Sequence, residues 1–130
     1  MNTYGLLLEG EEIKPINGFP DYYISNLGRC FTTKPTQRWG KGFRILRHRD
    51  HPTGYKYVGL YRETITGEVE RRWLRVHRIV ASEFIGPIKR NHVVDHINEK
   101  KGDNRAENLQ ILTYSENKIK SVRYRKENGK

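Results

Sequence analysis

The sequence predicts an α+β fold in which N-terminal antiparallel β-strands precede a strand–loop–strand–helix unit, and three observations carry that reading. Short β-branched and aromatic runs alternate with turn signals through the first 75 residues. A helical spacing follows at residues 76–85, where Val76, Ile79, Val80 and Phe84 share one face. Residues 93–117, VVDHINEKKGDNRAENLQILTYSEN, then hold two short apolar runs separated by a polar loop, with a helix-capping signal directly behind the second.

Taken in order, residues 12–32 read as short strands broken by turns at Asn17-Gly18, Pro20-Asp21 and Asn26-Leu27-Gly28. Residues 33–42 (TKPTQRWGKG) form a polar loop. Three strands are expected next, at 43–49, 55–62 and 69–76, the last two joined by a turn at Thr66-Gly67. Gly86-Pro87 stops the helix of 76–85, because neither residue continues a helix without cost. Val93-Val94 opens a strand that delivers Asp95 and His96, and Leu109-Gln110-Ile111-Leu112 pairs back onto it. Thr113 caps a last helix, with Glu116 three residues on as its reciprocal partner. That helix runs into a basic tail whose residues 126–130 fray. The natural division is a β-rich region at 1–75 and the strand–loop–strand–helix unit with its leading helix at 76–130.

Composition narrows the function classes. A chain of 130 residues holds one compact domain, or two small subdomains sharing a core. A net charge of +10 with a pI near 9.9 points to a polyanion, either nucleic acid or an anionic membrane surface. The charge is concentrated: residues 38–62 carry seven basic and one acidic side chain, and residues 113–130 six and two. Both positive segments flank the polar loop of 93–117 in sequence. No apolar stretch reaches the roughly 18 residues of a membrane span. The N-terminus lacks a basic leader and a long apolar run, so no secretory signal is expected. The lone Cys30 excludes an internal disulfide framework and a Cys-rich zinc site, which fits a reducing compartment.

Strand, loop, strand and helix would bring an acid, an imidazole and amide oxygens together from Asp95, His96, Asn108 and Asn117. These residues carry a resemblance. Asp95-His96-Ile97-Asn98, Asp103-Asn104-Arg105, Glu107-Asn108-Leu109, Thr113 and Asn117, preceded by Val76-His77-Arg78-Ile79-Val80-Ala81, resemble the HNH nuclease motif of phage and intron-encoded homing endonucleases. In that form the first His is replaced by Asp and the last by Asn. Upstream, Ile13-Lys14-Pro15-Ile16, Gly18-Phe19, Tyr22 and Ile24-Ser25-Asn26-Leu27-Gly28-Arg29 are similar to a small DNA-binding module often found ahead of such nuclease domains. Many relatives carry a further helical DNA-binding domain after the motif, whereas the sequence given ends at Lys130.

The resemblance implies a ββα-metal active site that hydrolyses DNA and leaves 5′-phosphate and 3′-hydroxyl ends. His96 would be the general base, since a neutral imidazole accepts a proton from water near pH 7. Asp95 and Asn117 would hold the metal, and two hard oxygen donors suit Mg²⁺, with Mn²⁺ as a substitute. Asn108 would tie the loop and so orient the base rather than touch substrate. Asp103, Asn104 and Arg105 would order the same loop. His77 is read as packing beneath the motif. One such site per chain implies a nickase acting on double-stranded DNA as a monomer or weak dimer. A phage or mobile element would encode it, and it would act in the cytoplasm of a bacterial host.

DNA contact is expected from basic strands interleaved with rings, because a β-ribbon fits the major groove and Arg forks onto guanine or phosphate. The candidates are Arg44, Arg47, Arg49, Lys56, Arg62, Arg71, Arg72 and Arg75, read as one twisted sheet with Tyr55, Tyr57, Tyr61 and Trp73. Lys118 and Lys120 on the terminal helix would grip backbone phosphates. The alternative is a catalytically silent DNA-binding or regulatory module on the same fold, which should have lost Asp95, His96 or Asn117. An RNA-binding protein is a third reading, since aromatic and basic strands also stack unpaired bases.

Overall fold

The computed structural model describes residues 6–38, 40 and 42–128. Trp39 and Lys41 of the polar loop and the last two residues of the tail lie outside the described residues, as do residues 1–5. Among the described residues there are three antiparallel sheets, two α-helices and a short 3-10 turn at Ala106–Asn108. The first sheet runs β1 (Ile13–Pro15), β2 (Tyr22–Ser25), β3 (Cys30–Thr32) and β4 (Arg44–Ile45) in sequence order. The second comprises β5 (Arg49–Asp50), β6 (Lys56–Glu63) and β7 (Val69–Arg75). Helix α1 (Val76–Phe84) follows β7 without a loop, and then β8 (His92–His96) and β9 (Leu109–Thr113) form a two-stranded ribbon that runs into α2 (Tyr114–Glu127).

One expected element is divided. The strand anticipated at 43–49 is two strands in two sheets: Arg44 pairs with Thr32, whereas Arg49 pairs with Tyr57. Leu46 still donates its N–H to the carbonyl of Cys30 at 2.8 Å, so the chain leaves the first sheet only after that residue. No Gly or Pro marks the departure. The break comes from the two sheets competing for partners along one extended segment, not from local turn chemistry.

The core lies between β2, β3, β6 and α1. Ile24, Cys30, Leu60, Val76, Val80 and Ala81 are fully buried, and Val94 and Leu109 of the β8–β9 ribbon join the same apolar cluster. Residues on both sides of position 75 therefore share one core. Helix α1 turns Val76, His77, Ile79, Val80 and Ala81 inward, the one-face pattern that its sequence spacing dictates. Burial also pushes the Cys30 thiol up to about 12, so it serves as packing and not as a nucleophile. Helix α2 buries none of its described residues. Its start is held by the expected capping box: the Glu116 N–H donates to Thr113 Oγ1 at 3.1 Å, and the Thr113 N–H donates to Glu116 Oε1 at 2.8 Å. Among the described residues no helix is long and apolar enough to cross a membrane.

Candidate active site

His96 ends β8 with its ring 5% exposed. Nε2 lies 2.7 Å from Oδ1 of Asn104. A carboxamide oxygen only accepts, so Nε2 carries the proton in the neutral ring and Nδ1 keeps its lone pair. The ring of His77 lies 5.1 Å from that of His96, and Tyr55 stacks on His77 at 5.0 Å with its ring 6.2 Å from that of His96. His77 is 4% exposed, and burial, helped by His96, Arg75 and Arg78, pushes it down to about 3. It is therefore neutral at physiological pH. The expectation that His77 packs beneath the motif matches where its ring is placed, with contact to the candidate base as an addition.

The loop behind His96 is a closed hydrogen-bond network. The side chain of Asn108 accepts from the Asn98 N–H at 3.1 Å and donates to Asn98 Oδ1 at 3.0 Å and to the Asp103 carbonyl at 2.9 Å. Every strong hydrogen-bonding atom of that buried amide is engaged, which is the architectural position expected for Asn108. Asp103 accepts a bidentate pair from Arg105 and a further bond from Asn98. The Arg105 guanidinium first, and Asn98 after it, hold the Asp103 carboxyl well below the usual carboxylate range. Arg105 also reaches Glu107, so it is spent within the loop.

Two elements from outside the motif complete the frame. The Ala106 N–H donates to the Asn26 carbonyl at 2.7 Å, which docks the loop behind His96 on the β2–β3 turn. Gly28 of that turn has φ +83°, and a Cβ there would lie 2.9 Å from both Cβ and O of Asn104. The residue that holds His96 therefore rests on a glycine that the sequence shows only as a turn. On the other side Lys101 donates to the Thr53 carbonyl at 3.1 Å and lies 4.9 Å over the Tyr55 ring. Neither contact has a local sequence signal, because each joins segments tens of residues apart.

Asp95, His96 and Asn117 line one cleft of about 280 Å³, together with Tyr55, Arg75, His77, Arg78, Glu99 and Lys101. Asn108 does not line it. Oδ2 of Asp95 accepts from Gln110 Nε2 at 2.8 Å and from the Lys120 ammonium, while Oδ1 has no hydrogen-bond partner among the described residues. Among those residues no three His, Cys, Asp or Glu side chains cluster as a metal cage. A divalent cation here would rely on Oδ1 of Asp95 and the amide oxygen of Asn117. Two hard oxygen donors fit an ion that completes its shell with water and phosphate oxygens.

The expected DNA-contacting residues do not form one surface. The β6–β7 register puts Tyr57 opposite Arg75, Gly59 opposite Trp73 and Tyr61 opposite Arg71 on one face. Arg71 lies flat on Trp73, 4.1 Å from the ring centroid, in space that a Cβ at Gly59 would close, since it would fall 2.8 Å from Arg71 Nε. Arg44, Arg47, Arg49 and Arg71 line a second cleft of about 410 Å³ with Tyr61 and Trp73, where β4 of the first sheet meets the second. Arg75 faces the catalytic cleft instead, donating to the Tyr57 hydroxyl at 2.9 Å. Arg72 is exposed beside Glu70, and Lys118 lies on the open surface of α2. Three placements differ from expectation. Lys56 pairs with Asp50 and Arg62 with Glu70, each a cross-strand neighbour of opposite charge. Lys120 turns onto Asp95 and Glu99, which line the candidate cleft, because position 120 shares a helix face with Asn117.

The comparisons with known proteins agree with this geometry. A family model described as HNH endonuclease matches residues 74–119, and the NUMOD4 motif matches residues 11–61. An uncharacterized HNH endonuclease, L247, of Acanthamoeba polyphaga mimivirus is 34% identical over 121 residues, spanning 90% of this chain and 27% of the relative. The DNA endonuclease I-HmuI of Bacillus phage SP01 is 31% identical over 103 residues, spanning 78% and 52%. The H-N-H endonuclease F-TflII of Escherichia phage T5 is 26% identical over 114 residues, spanning 86% and 53%. The chain thus covers between about a quarter and about half of these relatives' lengths. A solved structure of DNA binding and cleavage by the HNH homing endonuclease I-HmuI superposes with a TM-score of 0.66 at 29% identity, covering 91% of this chain and 59% of that one. The chain therefore carries an HNH endonuclease domain at residues 74–119 and a NUMOD4 motif at residues 11–61.

Proposed function

We propose that the protein is a metal-dependent endonuclease that nicks double-stranded DNA, with Mg²⁺ as its cation and Mn²⁺ as a substitute. The observation that carries this is the state of His96. Its Nε2 lies 2.7 Å from Asn104 Oδ1, which can only accept, and its Nδ1 has no hydrogen-bond partner among the described residues, in a cleft shared with Asp95 and Asn117. A silent DNA-binding module has no need to hold one imidazole in one tautomer.

His96 Nδ1 takes a proton from water as the water oxygen bonds to phosphorus and the P–O3′ bond breaks in line. Asn104 Oδ1 accepts from Nε2 throughout and so stabilises the imidazolium that forms. Because His77 stays neutral beside it, no second positive imidazolium opposes that charge. Asp95 and Asn117 would hold the cation. When bound, the cation stabilises negative charge on the leaving 3′ oxygen and the non-bridging oxygens. Arg75 and Arg78, at the rim of the cleft, are available to the flanking phosphates. The 3′ oxygen is protonated from solvent, leaving 5′-phosphate and 3′-hydroxyl ends. One site per chain cuts one strand, and the nuclease relatives from phages fit a phage or mobile-element gene acting in a bacterial cytoplasm.

Supercoiled plasmid and phage genomic DNA incubated with the protein and Mg²⁺ test this reading. Conversion to open circle by the wild type, lost with EDTA and reduced about 10²–10⁴-fold in His96→Ala, is the expected result. Linear product would mean paired cuts. Salt-sensitive DNA binding without cleavage of any substrate would favour the silent module.

A further inference from the structure

We propose that Lys120 is a built-in counter-cation of the metal site, an ammonium that shares the oxygen cage beside Asp95 and keeps the free protein's affinity for divalent cations low. This rests on Asp95 and Asn117 being the metal ligands. Lys120 follows Asn117 by three positions on α2, so the two side chains leave the same helix face. Its ammonium bonds Oδ2 of Asp95, Oε1 of Glu99 at 2.6 Å and the backbone carbonyl of His96 at 2.9 Å. Two hydrogen bonds and one ion pair thus set three oxygens around the ammonium, all of the hard type a divalent cation would also take.

The cage is built by the turn after β8. Glu99 adopts φ +66° and donates its own N–H to the His96 carbonyl at 3.0 Å, which brings its carboxylate onto Lys120. Gln110 shares Oδ2 of Asp95 with Lys120 and leaves Oδ1 for the metal. A divalent ion entering at Oδ1 therefore meets a positive neighbour on the same carboxylate. The side chains of Lys120 and Asp95 are 25% and 13% exposed, so solvent screens that repulsion only in part. An incoming DNA phosphate offers the ammonium another partner at the moment the metal is needed. Metal loading and DNA binding are then coupled through one side chain.

The test is Mn²⁺ binding by the DNA-free protein, read from loss of the free-ion electron paramagnetic resonance signal. Lys120→Met and Lys120→Gln should bind Mn²⁺ about tenfold tighter than wild type, the scale of removing one nearby like charge. Lys120→Arg, which keeps the charge, should stay near wild type, and Asp95→Asn should lose binding. Because no residue of α2 is fully buried, the Lys120 changes should leave far-ultraviolet circular dichroism intact. If the neutral variants bind no tighter while Asp95→Asn still loses binding, the counter-cation is wrong and the metal site stands. If Lys120→Arg tightens as Lys120→Met does, charge is not the cause and the proposal fails. If Asp95→Asn binds as wild type does, the metal reading itself fails.

Discussion

The sheets that carry the core and the loop that carries His96 are held by different forces. Between β2, β3, β6 and α1 the interior is apolar, with Ile24, Cys30, Leu60, Val76 and Val80 out of water. Between β8 and β9 the buried polar residues are His96, Asn104 and Asn108, while Val94 and Leu109, with the partly buried Ala106 and Ile111, reach the apolar core. Apolar burial is non-directional and sets which layers meet. Hydrogen bonds are directional and expensive to leave unmade, so a closed amide network can aim one imidazole. The two regions touch where Gly28 and Asn26 meet Asn104 and Ala106, and there the core's rigidity sets the orientation of the His96 ring.

Breaking the polar side should cost chemistry more than stability, and breaking the apolar side the reverse. Asn104→Ala frees the His96 ring and is expected to slow cleavage about 10²-fold. Its stability cost should be only about 1–3 kcal/mol, from the unpaired buried nitrogen. Leu60→Ala should cost about 2–5 kcal/mol in denaturant unfolding while the folded fraction cleaves at the wild-type rate. Equal rate losses in both variants would end the distinction.

Gly28→Ala tests the junction. The left-handed backbone alone should cost about 1–3 kcal/mol, and the added Cβ also presses on Asn104. Gly67→Ala has a similar φ of +86° but nothing within 4 Å of a Cβ, so it should show the strain alone. Cleavage should fall in the first and persist in the second, and matching activities would mean that the turn does not support the loop.

His77 joins the two regions in another way, since it is packed as core yet stacked on the base. Held down to about 3 in the native state against about 6.5 in the unfolded chain, it excludes a proton that the unfolded state binds. Its contribution to stability is complete above pH 6.5 and is lost as pH falls from there towards 3. Melting temperature followed over that window should drop less steeply in His77→Phe than in wild type. An unchanged slope would show that other groups govern acid unfolding.

The smallest effect is expected at Arg72, exposed and 4.0 Å from Glu70. Arg72→Ala should leave stability within about 0.5 kcal/mol. It should lower the salt dependence of DNA binding by about one counterion if that residue meets a phosphate. A larger loss confined to some DNA sequences would make it a base reader.

Sequence alone determined the elements and the local chemistry. Periodicity placed α1, β-branched runs placed β6 to β9, and the Thr113–Glu116 box placed the start of α2, because each signal lies within one turn or one strand. It also put Asp95, His96 and Asn117 within one short stretch of chain, with Asn108 tying the loop. Only the tertiary structure decided how residues 43–49 divide between two sheets, since both halves are equally extended and the choice depends on distant partners. It alone seated Gly28 under Asn104 and stacked Tyr55 on His77. It likewise turned Lys120 from the expected phosphate grip to the Asp95 carboxylate. Those contacts join groups far apart in the chain, and their energies depend on distance in space, which residue order does not encode.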